Sequence, residues 1–257
     1  MLRVNAIKAL LLASIIIFNK YAFAENLKNP DGSDSGVRVS VVHASFFRKP
    51  AQTVIIGHGS AGVQANHQYW ANVFRGLNYN AVIIDHYSLR GIAIHTGQVA
   101  ISTIDRARDF SSVVSWVQKQ NWHTGKMAIV GYSQGGSGLM TFIDSQAMNQ
   151  LQLLPIGDDP VVASIAFYPG CFIQSPPKKP RMPILMLLAE KDNLAIPADC
   201  APVEDEAYKV RIIPDATHSF DEDLRPSTNR IFTHRYSKQA VDQARIEVSE
   251  FLTLHLK

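Results

Sequence analysis

The sequence predicts an α/β fold, a mostly parallel central sheet with helices on both faces. Two observations carry this. First, six short runs are apolar and rich in strand-forming residues, several of them apolar at nearly every position: 53–57 (TVIIG), 81–85 (AVIID), 127–131 (MAIVG), 161–168 (VVASIAFY), 183–189 (PILMLLA) and 208–213 (YKVRII). A strand has this composition when helices cover both of its faces, as in a parallel sheet. Second, the runs alternate with helical patterns, and strand–helix alternation builds a parallel sheet with right-handed crossovers.

The helical patterns follow from apolar spacing. Residues 66–77 place Trp70, Val73, Phe74 and Leu77 on one face. Residues 98–120 do the same with Ile101, Ile104, Ala107, Phe110, Val114 and Val117. A third helix follows the MAIVG run over 135–148, and a fourth closes the chain over 238–256 with Val241, Ala244, Val248, Phe251, Leu252 and Leu256. Each set recurs at three- and four-residue intervals. Trp70, Trp116 and Trp122 fall within or beside these patterns and read as core residues.

At 257 residues and 46% hydrophobic, the chain can bury one sizeable core. Residues 1–24 have the order of an export signal: Arg3 and Lys8, an apolar run from Ala9 to Phe18, then Ala22-Phe23-Ala24 as a small-residue cleavage site after Ala24. The run is too short to span a bilayer, which takes about 20 residues. A retained N-terminal anchor is the rival reading. Residues 25–36 are polar, with Pro30 and Asp31-Gly32, and are expected as a flexible lead-in. Residues 37–257 contain no internal repeat and are expected as one catalytic domain.

The formal charge of +3 belongs to the leader, which holds Arg3, Lys8 and Lys20 and no acids. Without it the chain is near neutral. That removes the electrostatic footprint of a nucleic-acid partner or a membrane-surface role, and no stable membrane insertion is expected after cleavage. A secreted or periplasmic location follows from the leader. Two cysteines remain, Cys171 and Cys200. In an oxidising compartment they can pair, and two separate buried thiols are the alternative.

The segment Gly131-Tyr132-Ser133-Gln134-Gly135-Gly136 matches G-x-S-x-G, with an apolar strand before it and a helix after. In a nucleophile elbow this tight turn holds the serine backbone in a strained conformation and exposes its hydroxyl over a helix N-terminus. Ser133 is thus the candidate nucleophile, and the backbone N–H of Gln134 a candidate oxyanion donor. The run 53–57 ends in His58-Gly59-Ser60-Ala61-Gly62, a small-residue loop that supplies the second donor through Ser60. His58 reads as a structural hydrogen-bonding group.

In this arrangement an acid and then a histidine follow the serine in the chain. The run 183–189 ends in Glu190-Lys191-Asp192-Asn193, where Asp192 is the candidate acid and Glu190 the rival. The run 208–213 leads to Asp215-Ala216-Thr217-His218-Ser219-Phe220-Asp221, where His218 is the candidate base and His234 the alternative. His218 would take the Ser133 proton and Asp192 would orient the imidazole. Arg90 follows the 81–85 run and is a candidate for holding a substrate carboxylate, with a turn-stabilising role as the alternative.

Taken together, IIGHGSAG, GYSQGG, AEKDNLAIPADC and PDATHSFD, in that order and spacing, resemble the dienelactone hydrolase family over roughly 37–255. The resemblance implies an α/β-hydrolase fold and cleavage of small ester substrates through an acyl-enzyme. It also implies that Cys171 and Cys200 lie close together at the triad edge of the sheet. The founding dienelactone hydrolases carry a cysteine where Ser133 stands and a glutamate where Gly59 stands. The departure implies ordinary serine esterase chemistry. Peptidase or thioesterase activity on the same fold, or a non-catalytic binding protein, are the rival functions. No P-loop, G-x-G-x-x-G turn or H-E-x-x-H motif is present, so neither a cofactor nor a metal is expected. The segment 145–160 is short for a lid, and an open or shallow pocket is expected.

Overall fold

The protein's structure, a computed structural model, describes residues 22–28, 34–45, 47, 49–92, 101–154, 158–200, 206–223, 227–228 and 233–256. Its centre is an eight-stranded sheet in the order β1-β2-β4-β3-β5-β6-β7-β8. The strands are β1 (Ala22–Lys28), β2 (Asp34–Val42), β3 (Ala51–Gly57), β4 (Asn80–Asp85), β5 (His123–Tyr132), β6 (Val161–Phe167), β7 (Ile184–Ala189) and β8 (Tyr208–Ile213). From β4 to β8 every pairing is parallel, while β1 and β2 join antiparallel at one edge.

Side chains alternate across the sheet into two separate cores. In β5, Met127 and Ile129 point to one face, Ala128 and Val130 to the other. The first face is covered by α2 (Thr103–Val117) and α3 (Gln134–Ile143). Phe110, Val113, Leu139 and Met140 pack there. The second is covered by α1 (Ala65–Gly76) and α5 (Lys238–His255), through Trp70, Phe74, Val248 and Phe251. Burial on both faces is what made these strands continuously apolar in sequence.

The expected helix over 135–148 is two helices. At Asp144 the backbone turns extended (φ −80°, ψ 110°), and its carboxylate accepts the N–H groups of Gln146 and Ala147 to cap α4 (Ser145–Gln150). An aspartate that caps a new helix competes with continuing the old one. The expected helix over 98–120 is described from Thr103 to Val117; residues 93–100 lie outside the described residues. Trp70 is buried in the second core and Trp122 in the first, against which Trp116 packs.

The expected flexible lead-in over 25–36 is corrected by the structure. Its described residues belong to β1 and β2, which pair antiparallel from Ala22↔Val42 to Lys28↔Asp34, with a register shift between Asn26 and Lys28. Leu27 is 3% exposed and packs with Val37, Val39 and Val41. The Trp116 Nε1–H donates to the Glu25 carboxylate at 3.1 Å. An edge strand has to bury one face only, so a single leucine among polar residues suffices. The leader up to residue 21 lies outside the described residues.

Candidate active site

All three proposed triad residues stand at the carboxyl ends of parallel strands, where the chain leaves the sheet. Ser133 sits between β5 and α3 with φ 49° and ψ −116°, a left-handed conformation that a side-chain-bearing residue holds only under constraint. Two glycines permit it. A Cβ on Gly131 would lie 2.5 Å from the Gly135 carbonyl oxygen, and one on Gly135 would lie 2.5 Å from the Gly57 oxygen. The turn is therefore tight enough to press α3 against the end of β3. The Ser133 N–H donates to the Phe167 carbonyl at 3.0 Å, which fixes the elbow to β6.

The Ser133 hydroxyl lies 3.0 Å from His218 Nε2, and His218 Nδ1 lies 2.7 Å from Asp192 Oδ2. The other carboxylate oxygen, Oδ1, accepts the N–H groups of Leu194 (2.9 Å) and Ala195 (2.8 Å). Those amides orient Asp192 before any substrate arrives. His218 and Asp192 are buried, whereas Ser133 is half-exposed. With Nδ1–H directed at the carboxylate, Nε2 is left to accept the serine proton.

The rivals are occupied elsewhere. Glu190 Oε2 accepts the Asp215 N–H at 2.9 Å. His234 Nε2 donates to the carbonyls of Ser219 and Glu222, both at 3.1 Å. His58 is fully buried: Nδ1–H donates to the Gly59 oxygen at 2.6 Å and Nε2 accepts the His86 N–H at 3.1 Å. Burial, then the neighbouring His86 and Arg106, hold its pKa well below the ordinary histidine value.

The loop after β3 lies against the elbow. A Cβ on Gly59 would come within 3.1 Å of Ser133 Cβ, so a larger residue there would displace Ser133 or the loop. Ser60 lines the same cleft as Ser133 and His218. Gln134 opens α3, where the first amides have no intrahelical acceptor. The cleft encloses about 210 Å³. No described residue of 145–160 lines it; those residues border a separate groove beside Leu27 and α2.

Arg90 is corrected from a substrate contact to a structural cation. Its guanidinium forms two hydrogen bonds to Asp109, at 2.8 and 2.9 Å, and a third to the His86 carbonyl at 2.8 Å. It does not line the cleft, because Asp109 on α2 draws it behind the sheet edge.

Cys171 and Cys200 form a disulfide with a Cα–Cα distance of 5.2 Å. It closes a segment that contains Asp192 and ties the acid-bearing loop to the end of β6.

Two features were missed in the sequence. Tyr168, directly after β6, has φ 35° and stacks edge-on against the His218 ring at 4.8 Å. Asp221, three residues past the base, is buried and accepts hydrogen bonds from Tyr168 Oη (2.6 Å), Trp70 Nε1 (2.8 Å) and Asn66 Nδ2 (3.2 Å). Burial raises its pKa above the usual aspartate value, against these donors. The sequence offered little signal, because Asp221 stands in a polar run with Glu222 and Asp223. Its partners come from residues 53 to 155 positions away, which no local pattern connects.

A strained serine on a strand–helix turn, hydrogen-bonded to a buried histidine–aspartate pair at the carboxyl edge of a parallel sheet, defines the α/β-hydrolase class. Within that class the dienelactone hydrolase family model matches residues 39–256, and the chain belongs to this family. The fold is shared with a putative dienelactone hydrolase from Klebsiella pneumoniae (TM-score 0.68, 15% identity, 91% of this chain and 99% of that one). It is shared with a dienelactone hydrolase-like promiscuous phosphotriesterase from metagenomic libraries (TM-score 0.63, 14% identity, 91% and 99%). Esterase 2 of Thermogutta terrifontis, solved phosphoramylated by tabun, is similar as well (TM-score 0.60, 14% identity, 91% and 95%). A search of curated proteins finds no significant match.

Proposed function

We propose that this protein is a serine hydrolase of small carboxylic esters, working through an acyl-enzyme. The observation that carries the reading is the chain of contacts from Ser133 Oγ through His218 to Asp192, at 3.0 and 2.7 Å. His218 Nε2 takes the serine proton as Oγ attacks the ester carbonyl. The oxyanion is held by the backbone N–H groups of Ser60 and Gln134, and His218 returns the proton to the departing alcohol. Water then repeats the sequence on the acyl-enzyme. The small cleft favours short acyl groups. The esterase from Thermogutta terrifontis that carries a phosphorus adduct supports the reading by analogy of fold.

The mature enzyme in this reading is one catalytic domain, released from an export leader after Ala24. Glu25, Asn26 and Lys28 keep their pairings with β2, and Leu27 stays in the core. Mass spectrometry of the exported protein should find Glu25 first; a retained leader would show an anchor instead.

The central test is Ser133→Ala. Turnover of p-nitrophenyl acetate should fall by about a million-fold, with the circular dichroism spectrum unchanged. A fluorophosphonate probe should label wild type and leave the variant unlabelled. Full turnover by a folded variant overturns the assignment.

A further inference from the structure

One wall of the cleft carries a carboxyl group that the triad does not use. Glu222 lines the same space as Ser133 and His218, and no Lys or Arg is among the described residues around it. Its position is set by its neighbours. The Glu222 N–H donates to the Ser219 carbonyl at 3.0 Å, and His234 Nε2–H donates to the carbonyls of both residues. Ser219 takes φ 54° to make this turn. The preceding Asp221 is anchored by Trp70, Asn66 and Tyr168. The backbone under Glu222 is thereby clamped on both sides. Its half-buried carboxyl accepts no hydrogen bond from the described residues.

We propose that Glu222 is the specificity-determining residue of the cleft, selecting esters that carry a positive charge, such as an ammonium, over esters that carry a carboxylate. The proposal rests on the hydrolase reading above and goes beyond it by naming the substrate's charge. A carboxylate on the wall of a small, partly desolvated cleft attracts a cation and repels an anion more strongly than it would in open solvent. The groups facing it are Asp221 on its own turn, Tyr168 from the end of β6, His218 from the loop after β8 and His234 from the strand pairing with Ser227–Thr228. Burial, then the neighbouring Asp221, push Glu222 up to about 7. Charge selection should therefore strengthen between pH 6 and pH 8.

The test uses three matched substrates: phenyl acetate, 3-carboxyphenyl acetate and 3-(trimethylammonio)phenyl acetate, at low ionic strength. The readout is the cation-to-anion ratio of kcat/KM. Comparing ratios cancels the protonation of the triad and the intrinsic reactivity of each ester. In wild type the ratio should rise from pH 6 to pH 8. At pH 8, Glu222→Gln should lower it by about tenfold or more. The wild-type pH series needs no variant to fold. A ratio that ignores both pH and the substitution overturns the proposal while leaving the hydrolase assignment intact. Absence of Ser133-dependent turnover on all three esters overturns both.

Discussion

At the scale of single residues, the site concentrates strain and uncompensated polarity. Ser133, Tyr168 and Ser219 all have positive φ and all border one cleft. Such conformations persist only where surrounding structure imposes them, and they cluster at functional sites. Glu222 adds a cost of a different kind. Its pKa is raised in the folded protein, so the folded state holds the proton more tightly than the unfolded state does. The stabilisation is fully present below about 4.5 and is lost as pH rises through about 7. Glu222→Gln should therefore stabilise the protein at pH 8, on the order of 2 kcal/mol, and give no such gain at pH 4. Urea melts at both values check this. Equal effects at both would mean that folding does not shift the Glu222 pKa.

At the scale of elements, the loop after β3 is held from beneath by α1, α2 and β4. The buried Arg106 guanidinium donates to the His58 carbonyl at 2.8 Å and to the Tyr87 hydroxyl at 2.8 Å. Gly138 on α3 leaves room for it: a Cβ there would lie 2.5 Å from Arg106 Cβ. His58, His67 and His86 pack edge to face in the same layer. Burial lowers the pKa of all three, to about 4 for His67. A histidine depressed on folding protonates first in the unfolded chain. Its stabilisation is present above about 6.5 and drains as pH falls toward about 4. His67→Asn, which keeps an acceptor for the Gln64 N–H, should be less stable than wild type at pH 7. The gap should narrow by on the order of 3 kcal/mol by pH 4. A constant gap in urea melts would show that folding does not shift the His67 pKa.

At the scale of the whole molecule, the disulfide joins two neighbouring loops at the active edge. Cys171 and Cys200 are 29 residues apart, and by chain entropy their bond should contribute about 3–4 kcal/mol. Reduction should lower the Tm by roughly 10 °C. Because Asp192 lies within the closed segment, reduction should also lower kcat. Loss of thermal stability with unchanged kcat would confine the bond to a structural role.

Legibility at this scale followed burial. Strands β3 to β7 were readable because nearly every residue is apolar on both faces, β8 showed a weaker pattern broken by Lys209 and Arg211, and the ends of these strands pointed to Ser133, Asp192 and His218. β1 and β2 were not readable in the same way. β2 alternates Val37, Val39 and Val41 with polar residues, and among the described side chains of β1 Leu27 is the buried one. A one-faced edge strand leaves a weak signal, and its polar half looks like a loop.

The sequence by itself determined the order of the strands from β3 to β8 and the main helices between them, the strand–turn–helix at Ser133 and the chain order of the candidate acid and base, because these are local patterns imposed by backbone geometry and burial. Only the tertiary structure decided which charged groups face the substrate. Arg90 turned away because Asp109, on a different helix, offers two charge-assisted hydrogen bonds. Glu222 turned toward the cleft because Asp221 is drawn inward by Trp70, Asn66 and Tyr168. Such orientations are set by partners distant in the chain, and hydrogen bonding between remote groups leaves no periodicity for a sequence to display.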